Sequence, residues 1–306
     1  MSERLIVVPS YIRPALPDPM PNLVVLDEAE SLPADVAADV GFYVRPYYQE
    51  MGPEEFAGMP NLQVVQTLTA GVDGVKPHVP KHALLCNAAG VHDAATAELT
   101  VGLMIAAQRA FGVYWERQRA QHWQHDFNPG LADARVLIIG AGHIGKAITR
   151  RLLPFEVHIN RVARTARTDE LGVVHDTSSL DTLLPQADIV SIIVPLSAAT
   201  EHLVNSAFLA KMKDGALLVN TSRGRVVDQD ALLKELQAGR LRAALDVQDP
   251  EPLPAGHPLW TAPNTLITPH IGGDTGAFVP RAQRLVMSQV NKWLNGEPLA
   301  NIIGRD

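Results

Sequence analysis

Three short segments, each following a hydrophobic run, carry side chains able to do chemistry. "VNTSRGRVVD" contains Arg223, "LDVQDPEPL" holds Asp246 and Glu251, and "TLITPHIGG" delivers His270. A guanidinium binds oxyanions through paired hydrogen bonds. Histidine changes charge near neutral pH, where protons pass to and from reacting groups. None of these is diagnostic alone. A histidine after a proline is commonly a loop residue, an arginine can pair with a structural carboxylate, and a glutamate in a proline-rich turn can be plain surface. If the apolar runs are strands of one parallel sheet, their ends share one edge, where α/β folds bind ligands.

Upstream, "VLIIGAGHIGKAI" carries Gly140, Gly142 and Gly145 between an apolar strand and the start of a helix with apolar Ile144, Ala147 and Ile148. In that context a G-x-G-x-x-G turn binds a dinucleotide. Gly140 permits the tight turn, Gly142 lets a pyrophosphate approach the backbone, and Gly145 lets helix and strand pack closely. The helix N-terminus adds amides and partial positive charge. His143 is read as a loop residue of the turn, not a catalyst.

The next strand, "VHINRVARTART" (Val157 to Thr168), lacks the acidic residue that would bind the adenosine ribose of NAD. Arg161, Arg164 and Arg167 are there instead, and guanidinium favours phosphate. The expected cofactor is therefore NADP(H), with NAD(H) possible. Arg164 is the lead phosphate contact, Thr165 and Arg167 are helpers, and Arg161 is a weaker candidate.

Two series of alternating strands and helices supply the frame. Strands are expected at Leu5–Pro9, Leu23–Asp27, Phe42–Pro46, Leu62–Leu68 and Ala83–Asn87, with a helical patch at Pro53–Gly58. A long helix is expected over about 94–121, crossing between domains or packing on a second subunit. The second series has strands at Ala134–Gly140, Val157–Val162, Ala187–Pro195, Gly215–Ser222, Arg242–Val247 and Asn264–Pro269. One of its helices is capped by Asp228 and stopped by Gly239. Continuous apolar strands mean sheets covered on both faces. The last helix, about Gly276 to Leu294, is expected to return to the first domain. A discontinuous substrate domain (1–93 plus 276–306) would then flank a dinucleotide domain (94–275).

The 306 residues suffice for two such cores. A net charge of -7 without basic runs gives no reason to expect a nucleic-acid or membrane-surface partner. No apolar stretch reaches the roughly 20 residues that span a bilayer. The start of the chain lacks the apolar core of a signal peptide. Cys86, the only cysteine, can form no internal disulfide. It reads as a buried structural thiol in a cytoplasmic protein. No metal site is expected.

The order Arg223, Glu251, His270 behind the glycine turn resembles the D-isomer-specific 2-hydroxyacid dehydrogenase family. So do "TLTAGVDGV" (Thr67 to Val75), "NAAGVHDAATAE" (Asn87 to Glu98), "VPLSAATEHLVN" (Val194 to Asn205) and "HPLWTAPNTLITPHIGG" (His257 to Gly273). The resemblance covers most of the chain. It implies two doubly wound, Rossmann- or flavodoxin-like α/β domains with parallel sheets, an interdomain cleft and commonly a homodimer. The lost ribose acid and short chain look most like glyoxylate/hydroxypyruvate reductases, acting on small 2-keto or 2-hydroxy acids.

In that chemistry His270 protonates the carbonyl oxygen as hydride arrives, and Glu251 raises the histidine pKa. Arg223 clamps the substrate carboxylate and polarises the keto oxygen, while Asp246 orients the nicotinamide amide. The resemblance adds His143, Ile144, Pro195, Thr221, Ser222 and Gly272 to the cofactor contacts. It makes Ala70, Gly71 and Val72 a substrate-carboxylate loop, whose amides can bind an anion as a nest. Arg45, Tyr47 and Tyr48 are further candidates for facing the cleft, and Trp260 reads as packing.

Two alternatives stay open. One is an NAD-linked, phosphoglycerate-type dehydrogenase; the other is a non-catalytic dinucleotide sensor of corepressor type. Formate oxidation is disfavoured, because those enzymes have glutamine where this chain has Glu251.

Overall fold

A computed structural model of the chain describes residues 4–27, 32–47 and 55–304. It divides into two compact units, residues 1–92 with 275–306, and residues 93–274.

The first unit is a parallel sheet of β1 (Leu5–Pro9), β2 (Leu23–Leu26), β3 (Val40–Val44), β4 (Val64–Gln66) and β5 (Leu84–Cys86), with α1 at Ala34–Ala37. The strand order β2-β1-β3-β4-β5 is the flavodoxin-like one. Strand side chains alternate between faces. Ile6, Val8, Phe42, Val44 and Val64 pack with Phe278, Ala282, Val286 and Val290 of the C-terminal helix. Val7, Tyr43, Val65 and Leu85 join Phe56, Leu62 and Val75 on the other side. The four-residue spacing along that helix gives it one apolar stripe, and Gly296 ends it at φ 68°. Of the expected helical patch at Pro53–Gly58, residues 55–58 form turns and the rest lies outside the described residues.

The second unit opens on α2 (Asp93–Gln108) and α3 (Phe111–Arg119). The single helix expected over 94–121 is therefore broken. Ala110 adopts φ 53°, a left-handed conformation costing about 1–2 kcal/mol for a residue with a Cβ. The break falls where burial ends: Ala97, Leu103 and Met104 of α2 are core, whereas α3 has no buried residue. Beyond α3, residues 122–130 have no regular structure, and Trp123 (98% exposed) and Phe127 (104%) project into solvent.

The remaining elements alternate as β6 (Arg135–Ile139), α4 (His143–Leu152), β7 (His158–Val162), β8 (Arg167–Asp169), β9 (Gly172–Val174), α5 (Leu180–Leu183), β10 (Ile189–Ile192), α6 (Ser206–Lys211), β11 (Leu217–Asn220), α7 (Gln229–Gln237), β12 (Arg242–Leu245) and β13 (Thr265–Ile267). The C-terminal helix of the first unit is α8 (Phe278–Asn295). Six strands form one parallel sheet ordered β13-β12-β11-β10-β6-β7, and β8 and β9 make a small antiparallel ribbon. Leu103, Met104, Ile148 and Leu152 cover one face of the large sheet, and Phe208, Leu209, Leu232 and Leu236 the other. Asp228 caps α7 by accepting from the Ala231 N–H at 3.0 Å. Strand order reverses between β6 and β10, the switch point at which such sheets open a ligand crevice. Among the described residues no helix is long and apolar enough to cross a membrane.

Candidate active site

The glycine turn lies at that switch point. Gly140 has φ 115°, and a Cβ on it would lie 2.0 Å from the Ile193 carbonyl oxygen. A Cβ on Gly145 would meet the Gly140 carbonyl oxygen at 2.0 Å, so both positions exclude a side chain. Gly142 is different: nothing lies within 4 Å of its Cβ position. Among the described residues no side chain caps α4 at Gly142. An uncapped helix N-terminus beside open space at a glycine fits a dinucleotide pyrophosphate. His143, at the first position of α4, is exposed, with Nδ1 3.6 Å from Asp93 Oδ2. Ile144 packs at the edge of the core.

The three arginines separate. Arg161 is 2% exposed and is withdrawn as a phosphate contact. Its Nη1 and Nη2 donate to Asp169 at 3.0 and 2.7 Å, and Nη2 also donates to the Gly172 carbonyl at 2.8 Å. The Arg161 hydrogen bonds hold the Asp169 carboxyl well below its usual range. Arg164 and Thr165 are exposed just past β7, and Arg164 has no ion pair among the described residues. Arg167 Nη2 donates to the Ala141 carbonyl at 2.7 Å, which holds its guanidinium against the glycine turn.

Arg223, Glu251 and His270 follow the C-terminal ends of β11, β12 and β13. Glu251 Oε2 accepts from His270 Nδ1 at 2.8 Å, and Oε1 accepts from the Gln248 N–H at 2.9 Å. His270 Nε2 has no partner among the described residues. The hydrogen bond that Nδ1 donates to Glu251 raises the His270 pKa, against opposing effects of burial and the Arg223 charge. Burial works against the Glu251 charge, but His270, the Gln248 N–H and Arg223 together hold its carboxyl below the ordinary value. Arg223 is thus close enough to act electrostatically on both partners. Its Nη1 donates to the Ser222 carbonyl at 2.7 Å. A Cβ on the following Gly224 would fall 1.8 Å from the Gln248 carbonyl oxygen, so the chain there packs directly on the loop bearing Glu251.

Asp246 builds the His270 loop. It is 1% exposed. Oδ1 accepts from Thr268 Oγ1 at 2.6 Å and the Ile271 N–H at 2.9 Å, and Oδ2 from the Gly272 N–H at 2.9 Å. His270 itself takes φ 53°, with its N–H donating to the Asp246 carbonyl at 2.8 Å. A non-glycine residue held there is a constraint the surrounding structure must impose. Burial raises the Asp246 pKa despite these donors.

The Thr221 and Ser222 hydroxyls turn inward, to Thr100 Oγ1 at 2.9 Å and Asn220 Oδ1 at 2.7 Å. Pro195 is exposed, and its carbonyl accepts from Thr200 Oγ1 at 2.6 Å.

In the first unit, Ala70, Gly71 and Val72 follow β4. Among the described residues none of their N–H groups has a protein acceptor. Of the other candidates there, Arg45 pairs with Glu55 at 3.1 Å, Tyr47 packs against His92 and Phe278, and Tyr48 lies outside the described residues. Trp260 is half exposed, its Nε1–H donating to the Pro254 carbonyl at 3.0 Å.

Residues 101–272 match the family model of the D-isomer specific 2-hydroxyacid dehydrogenase NAD binding domain. The chain belongs to that family. As a 2-hydroxyacid dehydrogenase it is an oxidoreductase that uses a nicotinamide dinucleotide. It is 37% identical over 258 residues to a glyoxylate reductase of Thermofilum pendens, covering 81% of this chain and 76% of that one. It is 36% identical over 250 residues to human glyoxylate reductase/hydroxypyruvate reductase, covering 78% and 76%. Its fold matches the crystal structure of an NADPH-dependent glyoxylate/hydroxypyruvate reductase from Sinorhizobium meliloti in complex with NADP and sulfate, with TM-score 0.84, 25% identity and 98% of both chains covered.

Sequence reasoning on this dehydrogenase missed the residues that hold its loops. Asn220 Oδ1 accepts from the Ser222 N–H at 3.1 Å, an Asx turn that the "NTS" order signals. Gln229 grips the Asp249 peptide from both sides, donating to its carbonyl at 2.7 Å and accepting from its N–H at 3.2 Å. Nothing local marks that contact, since the partners are 20 residues apart.

Proposed function

We propose that this dehydrogenase reduces small 2-keto acids, glyoxylate and hydroxypyruvate first among them, with NADPH preferred over NADH. The observation that carries the reading is the 2.8 Å His270–Glu251 pair within the field of Arg223, in the same unit as the glycine turn.

Gly140, Gly142, Gly145 and the first amides of α4 hold the pyrophosphate, Arg164 takes the 2′-phosphate with Arg167 behind it, and Asp246 faces the nicotinamide amide. The nicotinamide, when bound, supplies the hydride. Glu251 keeps the ring of His270 protonated and oriented through Nδ1, which leaves Nε2–H to donate to the keto oxygen as charge builds there. Arg223 clamps the substrate carboxylate and polarises the carbonyl. The Ala70, Gly71 and Val72 amides supply further carboxylate donors. In the oxidative direction His270 is the base.

The aromatic residues exposed on α3 and the following arm (Phe111, Trp115, Trp123 and Phe127) favour a homodimer, since apolar surface of that extent marks an interface. The buried free thiol of Cys86 suits a reducing cytoplasm.

A panel of 2-keto acids assayed with NADPH and NADH tests the proposal. Turnover of glyoxylate or hydroxypyruvate is expected, lost by about a thousandfold in His270→Ala while dinucleotide binding persists. Equal turnover in the variant removes His270 from this role, and a tenfold advantage for NADH overturns the cofactor preference.

A further inference from the structure

Five successive carbonyl groups in the first unit, Leu68 to Val72, all accept hydrogen bonds. His92 Nε2 donates to Leu68 O at 2.7 Å. The Thr69 carbonyl takes the Ala88 N–H at 2.9 Å and Thr67 Oγ1 at 3.1 Å. Asn87 Nδ2 donates to Ala70 O at 2.6 Å, and Thr69 Oγ1 donates to Gly71 O at 2.7 Å. Val72 O accepts from the Val75 and Lys76 N–H groups at 3.0 and 2.8 Å. With every acceptor engaged and the N–H groups of Ala70 to Val72 left over, the loop is polarised toward an anion.

His92 differs from the other donors. It is 6% exposed, and its ring packs against both Tyr47 (centroids 5.5 Å apart, planes at 29°) and Phe278 (5.2 Å, 17°), which touch each other at 4.3 Å. Facing a carbonyl, Nε2 must carry the hydrogen. Nδ1 is buried and has no partner among the described residues. An all-carbon ring would fill this stack without the cost of a buried, unused nitrogen. What imidazole adds is the one bond to Leu68, two residues before Ala70.

We infer that His92 is a positioning residue for substrate binding: a ring clamped in the core of the first unit fixes the Leu68 carbonyl and so aims the Ala70–Val72 amides at the substrate carboxylate. This rests on reading that loop as a carboxylate site.

The test uses the full-length protein with His92→Phe and His92→Leu, which remove the donor, and His92→Gln, whose amide nitrogen can replace Nε2. The donor-free variants should raise the keto-acid KM about fivefold or more, the loss of one buried hydrogen bond. Their kcat and dinucleotide KM should stay within about twofold, and His92→Gln should recover most of the keto-acid KM. Affinity for oxamate, measured by fluorescence with dinucleotide present, should fall in parallel. An unchanged keto-acid KM in a folded donor-free variant overturns the inference, as does an equal loss of dinucleotide affinity. Failure of both donor-free variants to fold would assign His92 to the core and also overturn it. A wild-type protein that turns over no 2-keto acid would sink the functional reading instead, and the oxamate series would still decide the role of His92.

Discussion

Replacing Arg164 with serine tests the cofactor preference at its source. Arg164 is exposed just past β7 with no ion pair among the described residues, so its whole charge is available to a ligand. Two unit charges about 4 Å apart attract by about 1 kcal/mol in bulk water and about 4 kcal/mol at an effective dielectric of 20. A 2′-phosphate carries more than one negative charge, but exposure and salt screening keep the interaction near the lower value. About 1.5–2 kcal/mol is therefore at stake, a factor of about 10–30 in kcat/KM. Arg167 shares its guanidinium with the Ala141 carbonyl and should account for less than tenfold. The assay is steady-state kcat/KM for NADPH and NADH at saturating glyoxylate, in low and high salt. Arg164→Ser should lower the NADPH value about 10–30-fold and leave NADH within twofold. The wild-type advantage for NADPH should shrink as salt rises, and Arg164→Asp should tilt the balance further toward NADH, because a carboxylate there repels phosphate and binds ribose hydroxyls. A parallel fall for both dinucleotides, or no change for either, would refute the reasoning.

Glu251 raises the His270 pKa, so reduction, which needs the protonated ring, should persist to higher pH than an ordinary histidine allows; Glu251→Gln should move the alkaline limb of the kcat/KM profile to lower pH. The same pair stabilises the fold most between the ordinary glutamate and histidine pKa values, and wild-type thermal melts should lose that increment as pH falls through the lowered Glu251 value or rises through the raised His270 value. Gly140→Ala should destabilise the fold by at least about 1–3 kcal/mol, because its Cβ meets backbone, whereas Gly142→Ala should leave the melting temperature unchanged and weaken dinucleotide binding. Thermal melts with dinucleotide titrations separate the two. Trp123→Ser with Phe127→Ser should convert a dimer to monomers in analytical ultracentrifugation, and an unchanged sedimentation profile would place the interface elsewhere.

Much of the fold was readable because it is written in local pattern. Apolar runs marked strands of both parallel sheets, and Asp228 and Gly239 bracketed α7. The glycine turn was equally plain, since its demands fall on residues close in the chain, apart from the distant Ile193 carbonyl that faces Gly140. The helix break at Ala110 was not readable: the nearby Gly112 lies inside α3 and not at the break itself, and the helix turns where core burial stops.

The sequence by itself determined which side chains were available: a dinucleotide turn, arginines where a ribose acid would stand, and an arginine, glutamate and histidine following strand ends. Only the tertiary structure decided how they were used. Arg161 and Arg164 are three residues apart and chemically identical. Arg161 is a residue of β7 turned inward onto Asp169, while Arg164 lies past the strand end in water. Thr221 and Ser222 lost their hydroxyls to Thr100 and Asn220, and His270 met Glu251 because Asp246 holds the intervening loop ends together. Periodicity, turns and caps depend on neighbours in the chain. The partner of a buried charge is set by strand register and crossover, which bring together residues that the sequence keeps far apart.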